Sequence, residues 1–217
     1  MIKGTLPQLP LMTSLNLDEL QTQVQTLFAA RKGHFRFESG HHGDLWLEIA
    51  PAYVRPMRLR PYARELGHLI AAHRIDAVCG PMVEGAFIAQ MVAEELDGEF
   101  YFAEQFTRPT ADGLFPQGYR IPSALRSLIR GKRVAVIDDV INAGSAVSGA
   151  CEDVIACGAS LVAIGALMVL GEPASSLAKK YEVPLEALSR LVQNSLWAPA
   201  SCPLCLAGVQ LEGALPR

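Results

Sequence analysis

One segment, residues 133–148, constrains the fold of this chain more than any other part. It begins with the apolar, mainly β-branched run Val134–Ile137, which predicts a strand buried on both faces. Asp138 and Asp139 follow directly, and a turn of small residues comes after them. Apolar residues recur at helical spacing from Val147 onward, so the turn is expected to open a helix. This order of elements predicts an α/β protein with a parallel sheet.

The turn of small residues has the chemistry of a phosphate site. It consists of Asn142, Ala143, Gly144, Ser145 and Ala146. The first N–H groups of a helix and the positive end of its dipole attract anions, Gly144 allows a close backbone approach, and the Ser145 hydroxyl adds a donor. The acidic pair before the turn can hold ribose hydroxyls or Mg²⁺. The alternative is an ordinary buried strand that ends in a polar loop.

This pattern resembles the PRPP (5-phosphoribosyl-1-diphosphate) signature of the type I phosphoribosyltransferases, in which an apolar strand leads to Asp-Asp, two apolar residues and a short phosphate loop. Residues 138–141 and 143–146 fit that signature, and Asn142 stands where the family usually has Thr. The resemblance implies that Asp138 and Asp139 act in catalysis, face the ribose and bind Mg²⁺, directly or through water. It also implies that residues 142–146 bind the 5′-phosphate.

A second strand–loop–helix unit precedes the first. Ile75–Cys79 predicts a short strand, and the following loop reads GPMVEGA before a helix that extends to about Leu96. The loop is similar in type to the pyrophosphate loop of the same family, which implies that Val83, Glu84 and Gly85 contact pyrophosphate. Because Glu84 carries a negative charge, such a loop must act through backbone N–H groups or a metal ion. The alternative is a simple helix start.

The N-terminal part resembles the hood of orotate phosphoribosyltransferases, which forms the lid of the base pocket. The resemblance rests on residues 35–48, FRFESGHHGDLWLE, in which Ser39-Gly40, Asp44 and Trp46 occupy matching places. The adjacent histidines His41-His42 are a weak metal motif, and we expect them in a solvated turn.

Two departures from the orotate family affect catalysis and base recognition. The family's mobile loop starts with Arg-Lys and carries a further lysine and histidine, whereas residues 104–118 here contain Arg108 as their only cation. We predict that Arg108, with Arg120 after the loop, stabilises the leaving pyrophosphate; otherwise the reaction is slow or absent. Glu172 stands where those enzymes have a base-recognising arginine, which predicts a hydrogen bond from an amino or ring N–H group of another base.

The C-terminal tail contains Cys202-Pro-Leu-Cys205, which has the spacing of half a zinc site. No second C-x-x-C exists in the chain, so a closed Zn²⁺ site needs a second chain or histidine ligands. The alternative is a reduced pair without metal. A tail of this type recurs in a subset of proteins similar to orotate phosphoribosyltransferases.

Composition limits the classes of partner. The net charge of −3 does not indicate the basic surface that nucleic-acid binding requires. No apolar run is long enough to predict a membrane span. The N-terminus does not have the pattern of a secretory signal, and five cysteines suit a reducing cytoplasm better than a disulfide scaffold.

Together these features predict a type I phosphoribosyltransferase-like parallel sheet flanked by helices. We expect a hood segment at 1–55, a PRPP-binding core at 56–171, and a C-terminal helix and tail at 172–217, all within one compact domain. The predicted reaction is Mg²⁺-dependent transfer of the 5-phosphoribosyl group of PRPP to a nitrogen of orotate or a related pyrimidine, and the resemblance implies a homodimer. The alternative is a PRPP- or nucleotide-binding regulatory protein of the same fold with little catalysis.

Overall fold

The computed structural model describes residues 17–108, 114, 116–191 and 195–212. In these residues the α-helices are α1 (Leu17–Thr26), α2 (Ala50–Tyr53), α3 (Arg60–Ala71), α4 (Glu84–Glu95), α5 (Ser123–Arg126), α6 (Ser145–Ala156), α7 (Pro173–Tyr181) and α8 (Pro203–Leu206). The strands are β1 (Ala29–Arg36), β2 (His42–Glu48), β3 (Ala77–Pro81), β4 (Glu99–Thr107), β5 (Gln117–Arg120), β6 (Arg133–Ile141), β7 (Ser160–Leu170) and β8 (Leu185–Leu191).

The central sheet has six strands in the order β5-β4-β3-β6-β7-β8. Neighbouring strands are parallel except β4 and β5, which form an antiparallel hairpin. From β3 the chain first builds toward β5, then returns to place β6 on the other side of β3. The crevice outside the carboxyl ends of β3 and β6 is therefore the topological switch point, where open α/β sheets bind their ligands.

Helices cover both faces of this sheet and create two apolar clusters. One cluster joins α1, α3 and α4 to the sheet and contains Leu66, Ile70 and Ile88, while the other joins α6 and α7 to the opposite face and contains Ile129 and Ile164. Residues of β6 alternate between the two clusters. The prediction of a strand buried on both faces is thus confirmed.

Several elements differ in their bounds from the sequence-based expectation. The strand β6 was expected to end at Ile137, but it continues through the acidic pair to Ile141 because Val140 and Ile141 pair with β7. The strand expected at Ile75–Cys79 is β3, which covers Ala77–Pro81. Before α3 the chain forms a 3-10 turn at Pro56–Arg58, and Pro61 stands in the first turn of α3, a position that favours helix starts.

The hood, residues 29–48, is an antiparallel pair of strands separate from the central sheet. The tail, residues 195–212, lies against it: His42 and Trp197 exchange two backbone hydrogen bonds of 2.8 Å, and the Glu212 N–H donates to the His34 carbonyl at 2.7 Å. Two elements from outside residues 56–171 join the central layer, because α1 packs in one of its apolar clusters and β8 extends its sheet.

Candidate active site

A cavity of about 350 Å³ lies at the switch point, between the carboxyl ends of β3 and β6 and the hood. This volume is within the usual range for small-molecule sites. Most of its walls come from three parts of the chain: the hood and the residues just after it, the loop that leads from β3 into α4, and the end of β6 with the start of α6. Tyr119 of β5 and Leu170 of β7 complete the lining. The two loops that the sequence predicted to bind ligand therefore face one cavity.

The acidic pair lies at the floor of the cavity with few protein partners. Asp138 and Asp139 are 7% and 4% exposed. The Asp139 N–H donates to Asp138 Oδ1 at 3.0 Å, and the Val140 N–H donates to Asp139 Oδ1 at 2.6 Å. Within the described residues, Asp139 Oδ2 and the Tyr53 hydroxyl are buried without a hydrogen-bond partner. Buried polar atoms are normally paired, so the carboxylate oxygen is suited to a ligand hydroxyl or a cation.

Burial shapes the titration of these acids. It raises the pKa of Asp138 well above its usual range, and the neighbouring Asp139 charge adds to this shift. Burial likewise raises the pKa of Asp139 to about 6, with a further contribution from the charge of Glu84. The pKa of Tyr53 is raised by burial and by the nearby carboxylates. These shifts show that the protein surroundings do not balance the charge of two ionised carboxylates at the floor of the cavity, so a cation or ligand donors would favour their ionised form.

The loop predicted to bind phosphate, residues 142–146, combines a left-handed residue with a helix start. Gly144 has a φ of +78° and stands at the N-cap of α6, a conformation that glycine adopts without steric cost. The first N–H groups of α6 have no partners within the helix and carry the positive end of its dipole. The loop faces the cavity with Asn142, Ala143, Gly144, Ser145 and Ala146. This geometry suits an anion.

The loop between β3 and α4 approaches the acidic pair through glycine. A Cβ atom on Gly85 would collide with Asp138 Oδ1, and a Cβ atom on Gly80 would be 2.5 Å from the Gly85 carbonyl oxygen. Val83, Glu84 and Gly85 all line the cavity, and α4 begins at Glu84. The helix start can therefore offer backbone N–H groups close to the aspartates.

The hood supplies an aromatic wall. Phe37 and Trp46 are stacked, with ring centroids 6.2 Å apart and an interplanar angle of 10°, and Phe35 lies 5.7 Å from Trp46. Glu38 and Tyr119 also line the cavity, and the Tyr119 hydroxyl donates to Glu38 Oε1 at 2.9 Å. Such a wall can stack a planar base and can accept a hydrogen bond from it.

Three of the predicted site residues are not brought to this cavity. Arg108 pairs with Glu152 on α6 at 3.6 Å, and the Arg120 guanidinium lies 4.9 Å from the centre of the Phe106 ring. Glu172 is exposed before the first turn of α7. None of the three is among the described residues that line the cavity.

The cavity wall contains a different cation, Arg31, which the sequence reasoning missed. Its guanidinium is 3.3 Å from Glu212 and 3.9 Å from Glu48. Arg31 pairs in register with Trp46, and both residues line the cavity. Arg31 lies in the exposed first half of β1, and no motif of the sequence marks it as a site residue.

A second group of polar side chains gathers where the hood meets the tail. The potential metal-ligand atoms of His34, His42, Cys202 and Cys205 all lie within 4.8 Å of one another. The expectation of a solvated turn is wrong for His42, which is 6% exposed. The half-site of the tail thus lies beside two histidines, which are the kind of ligand it lacked.

No helix in the described part of the chain has the length and apolar composition needed to cross a membrane. Residues 60–201 match the phosphoribosyl transferase domain. The chain belongs to this family. The predicted α/β phosphoribosyltransferase fold is confirmed, as is the enzyme class. Members of the family bind PRPP and a nucleobase, and they generally use Mg²⁺.

Relatives of this phosphoribosyltransferase include orotate phosphoribosyltransferases. The protein of that name from Caldanaerobacter subterraneus subsp. tengcongensis is 29% identical over 189 residues, which cover 86% of this chain and 90% of the relative. One from Thermus thermophilus is 29% identical over 184 residues, which cover 85% of this chain and 93% of the relative. The predicted resemblance to the orotate group is therefore confirmed.

Solved structures show the same fold. The orotate phosphoribosyltransferase from Aeropyrum pernix has a TM-score of 0.57 at 20% identity and covers 81% of this chain and 94% of its own. Adenine phosphoribosyl transferase from Trypanosoma brucei, in complex with AMP, pyrophosphate and ribose-5-phosphate, has a TM-score of 0.59 at 18% identity and covers 79% of each chain. Both pyrimidine- and purine-named proteins thus share the architecture.

Proposed function

We propose that this phosphoribosyltransferase transfers the 5-phosphoribosyl group of PRPP to a ring nitrogen of orotate or a related pyrimidine and releases pyrophosphate. One observation carries the proposal: the buried pair Asp138 and Asp139 lies in one cavity with two helix-start loops and an aromatic hood. The names of the relatives, which match more than four-fifths of this chain, support orotate as the base.

The cavity offers a place for each part of PRPP. The 5′-phosphate binds at residues 142–146, where the start of α6 provides N–H donors. The ribose hydroxyls donate to Asp138 and Asp139, and the unpaired Asp139 Oδ2 gains a donor in this way. The pyrophosphate lies over residues 83–85, at the start of α4.

The charges around the cavity fit a requirement for Mg²⁺. Five carboxylates line it against the single arginine of its described lining: Glu38, Glu48, Glu84, Asp138 and Asp139. PRPP would add further negative charge. Oxygen donors are the ligands that Mg²⁺ prefers, so the acidic pair and Glu84 suit a Mg²⁺ ion held directly or through water. When bound, the ion would offset the charge of the pyrophosphate.

The hood would recognise the base. Phe37 and Trp46 stack on its ring, Glu38 accepts from a ring N–H group, and Arg31 pairs with the carboxylate that distinguishes orotate from uracil. Glu172, which the sequence predicted for base recognition, lies outside the described cavity lining, so Glu38 replaces it in this proposal.

The chemistry requires no covalent protein nucleophile. A base nitrogen forms a bond to the anomeric carbon as the bond from that carbon to pyrophosphate breaks, and the electron pair leaves with pyrophosphate. Positive charge develops on the ribose ring in the transition state. The carboxylates of Asp138 and Asp139 stabilise this charge electrostatically, because they are fixed in a largely buried site.

A PRPP- or nucleotide-binding regulatory protein with little catalysis is the second candidate. The observation that favours it is the position of Arg108 and Arg120, neither of which is among the described residues lining the cavity. The leaving pyrophosphate would then lack a cation from the loop, and turnover would fall although PRPP still binds.

We also propose that the chain acts as a homodimer, on the basis of its resemblance to the orotate group. The exposed apolar side chains of Val54 and Met57, which are 79% and 60% exposed, are candidates for an interface. Light scattering coupled to gel filtration tests this proposal, and a monomer at every concentration would contradict it.

Pyrophosphate release is the test of the proposed function. The protein is incubated with PRPP, Mg²⁺ and either orotate, uracil, adenine or no base. We expect release that depends on orotate and falls at least about a hundredfold in the double variant Asp138→Asn/Asp139→Asn. Calorimetric titration with PRPP accompanies the assay. PRPP binding without release from any base would instead support the regulatory protein.

A further inference from the structure

We infer that His34, His42, Cys202 and Cys205 form a structural zinc site that fastens the tail to the hood. The four ligands come from separate parts of the chain: β1, β2 and the two ends of the Cys-Pro-Leu-Cys segment. His34 and His42 are 1% and 6% exposed, and Cys202 is fully buried. This site is independent of PRPP and of the proposed reaction.

Four of the six distances between the potential ligand atoms are close to those of a tetrahedral zinc site, and all six are within 4.8 Å. With Zn–S bonds of about 2.3 Å and Zn–N bonds of about 2.0–2.1 Å, tetrahedral ligands lie roughly 3.3 Å apart for two nitrogens and roughly 3.6 Å apart for nitrogen and sulfur. His34 Nε2 is 3.2 Å from His42 Nδ1, 3.4 Å from Cys202 Sγ and 3.7 Å from Cys205 Sγ. Cys205 Sγ is 3.2 Å from His42 Nδ1. One ion at the centre would reach all four atoms.

The tautomer of His34 is set for metal binding. Its Nδ1 atom lies 2.7 Å from the backbone carbonyl oxygen of Val209, an acceptor that requires a proton on Nδ1. The Nε2 atom is then unprotonated and directs its lone pair toward the two sulfurs and the other imidazole. A metal-binding histidine usually donates its second N–H in this way, which orients the ring.

The ligand set favours zinc over the other common divalent ions. Two thiolates and two neutral imidazoles in a tetrahedral arrangement suit Zn²⁺, whereas Mg²⁺ and Ca²⁺ require oxygen ligands. The two thiolate charges neutralise the ion, so the closed site is compatible with burial. All four positions are filled by protein, which is the arrangement of a structural rather than a catalytic zinc.

The tail buries little of its own surface, so a bound zinc ion would contribute much of what holds it against the hood. Residues 205–212 are all exposed. In the described part of the chain, three backbone hydrogen bonds join the tail to the hood, and the ion pair of Arg31 with Glu212 is exposed. A zinc ion would therefore hold together β1, β2 and the tail behind the aromatic wall of the cavity.

Metal content of the purified full-length protein is the first test. We expect about one zinc per chain by plasma mass spectrometry after expression with zinc and dialysis against buffer. The variants Cys202→Ser, Cys205→Ser and His42→Asn should lose at least about nine-tenths of it. His41→Asn and Cys157→Ser are the matched controls, since they change a neighbouring histidine and a cysteine outside the cluster, and they should keep the metal.

A second test needs no variant and no turnover assay. Removing the metal with a chelator should lower the Tm of the wild-type protein by at least about 5 °C and expose the tail to protease. Zn²⁺ should restore both properties, and Mg²⁺ should not. Substitution by Co²⁺ should give the visible and thiolate charge-transfer absorption of a tetrahedral site.

Three results would overturn the zinc site. They are a wild-type protein that neither contains zinc nor takes it up, cysteine variants that retain it fully, and a Cys202–Cys205 disulfide in the native protein by mass spectrometry. None of these depends on PRPP. A failed pyrophosphate assay with a zinc-loaded protein would leave this site intact. A working assay with a wild-type protein that neither contains zinc nor takes it up would reject the zinc site alone.

Discussion

At the scale of single residues, the acidic pair depends on the absence of a side chain at Gly85. The carboxylate of Asp138 occupies the space that a Cβ atom at Gly85 would fill, and Pro81 Cγ lies 3.0 Å from that position. This close approach brings the start of α4 up to the end of β6. A methyl group has no free volume here, because the neighbours are a buried carboxylate and a proline ring.

We expect Gly85→Ala to displace the Asp138 side chain and to weaken PRPP binding by at least about tenfold, which corresponds to about 1.4 kcal/mol. Calorimetric titration with PRPP and Mg²⁺ measures this loss. Gly98→Ala is the control, because the nearest atom to its Cβ would be the Asp76 carbonyl oxygen at 3.6 Å, an ordinary contact. Equal affinity in both variants would show that Asp138 does not need its present position.

At the scale of elements, strand β1 places the side chains of the neighbouring cations Arg31 and Lys32 in different surroundings. Both residues are exposed, but Arg31 lines the cavity, whereas Lys32 is not part of the described lining. We expect Arg31→Ala to raise the KM for orotate at least about tenfold, because it removes the partner of the base carboxylate. Lys32→Ala should leave KM unchanged. Steady-state kinetics with varied orotate at saturating PRPP measures both KM values. A KM for orotate that is equal in the two variants would show that Arg31 does not recognise the base.

The β4–β5 hairpin contains a cation that is a candidate for stabilising the leaving pyrophosphate. Its Arg108 is the only cation of residues 104–118, and it forms an exposed ion pair with Glu152. If the hairpin stabilises the leaving pyrophosphate, Arg108→Ala should lower kcat at least about tenfold with little change in PRPP affinity. Glu152→Gln breaks the same ion pair but keeps the arginine, so its kcat should be close to wild type. Unchanged kcat in Arg108→Ala would show that the hairpin cation is not catalytic.

At the scale of the whole molecule, most of the buried apolar side chains lie in the two layers on either face of the central sheet, which makes these layers the main source of stability. Ile70 of α3 is fully buried and packs over Gly165 of β7, where a Cβ atom would be 3.0 Å from Ile70 Cδ1. Ile70→Ala should cost about 2–5 kcal/mol through lost burial and a cavity, and lower the Tm by roughly 5–15 °C. The control Leu128→Ala, at a side chain that is 57% exposed, should change the Tm little. Calorimetry measures the Tm of both variants. Equal Tm values for Ile70→Ala and Leu128→Ala would show that the packing of α3 contributes little to stability.

The sequence by itself determined the buried strand β6, the acidic pair at its end, the small-residue loop that opens α6, and the family. These features are local: alternation, small residues and helix spacing act within about fifteen residues of one another. Sequence reasoning also found the second loop, because parallel strands bring their carboxyl ends to one edge.

Only the tertiary structure decided which distant residues meet. His34 and His42 come close to Cys202 and Cys205, which stand 160 or more positions further along the chain, and no local pattern indicates that contact. Arg31 and Glu38 reach the cavity because the hood folds over the central sheet, while Glu172 faces solvent after β7. Local sequence limits the conformation of each element, but the packing of one element on another depends on burial across the whole chain. That packing brings together the side chains that we propose to recognise a base or to bind a metal.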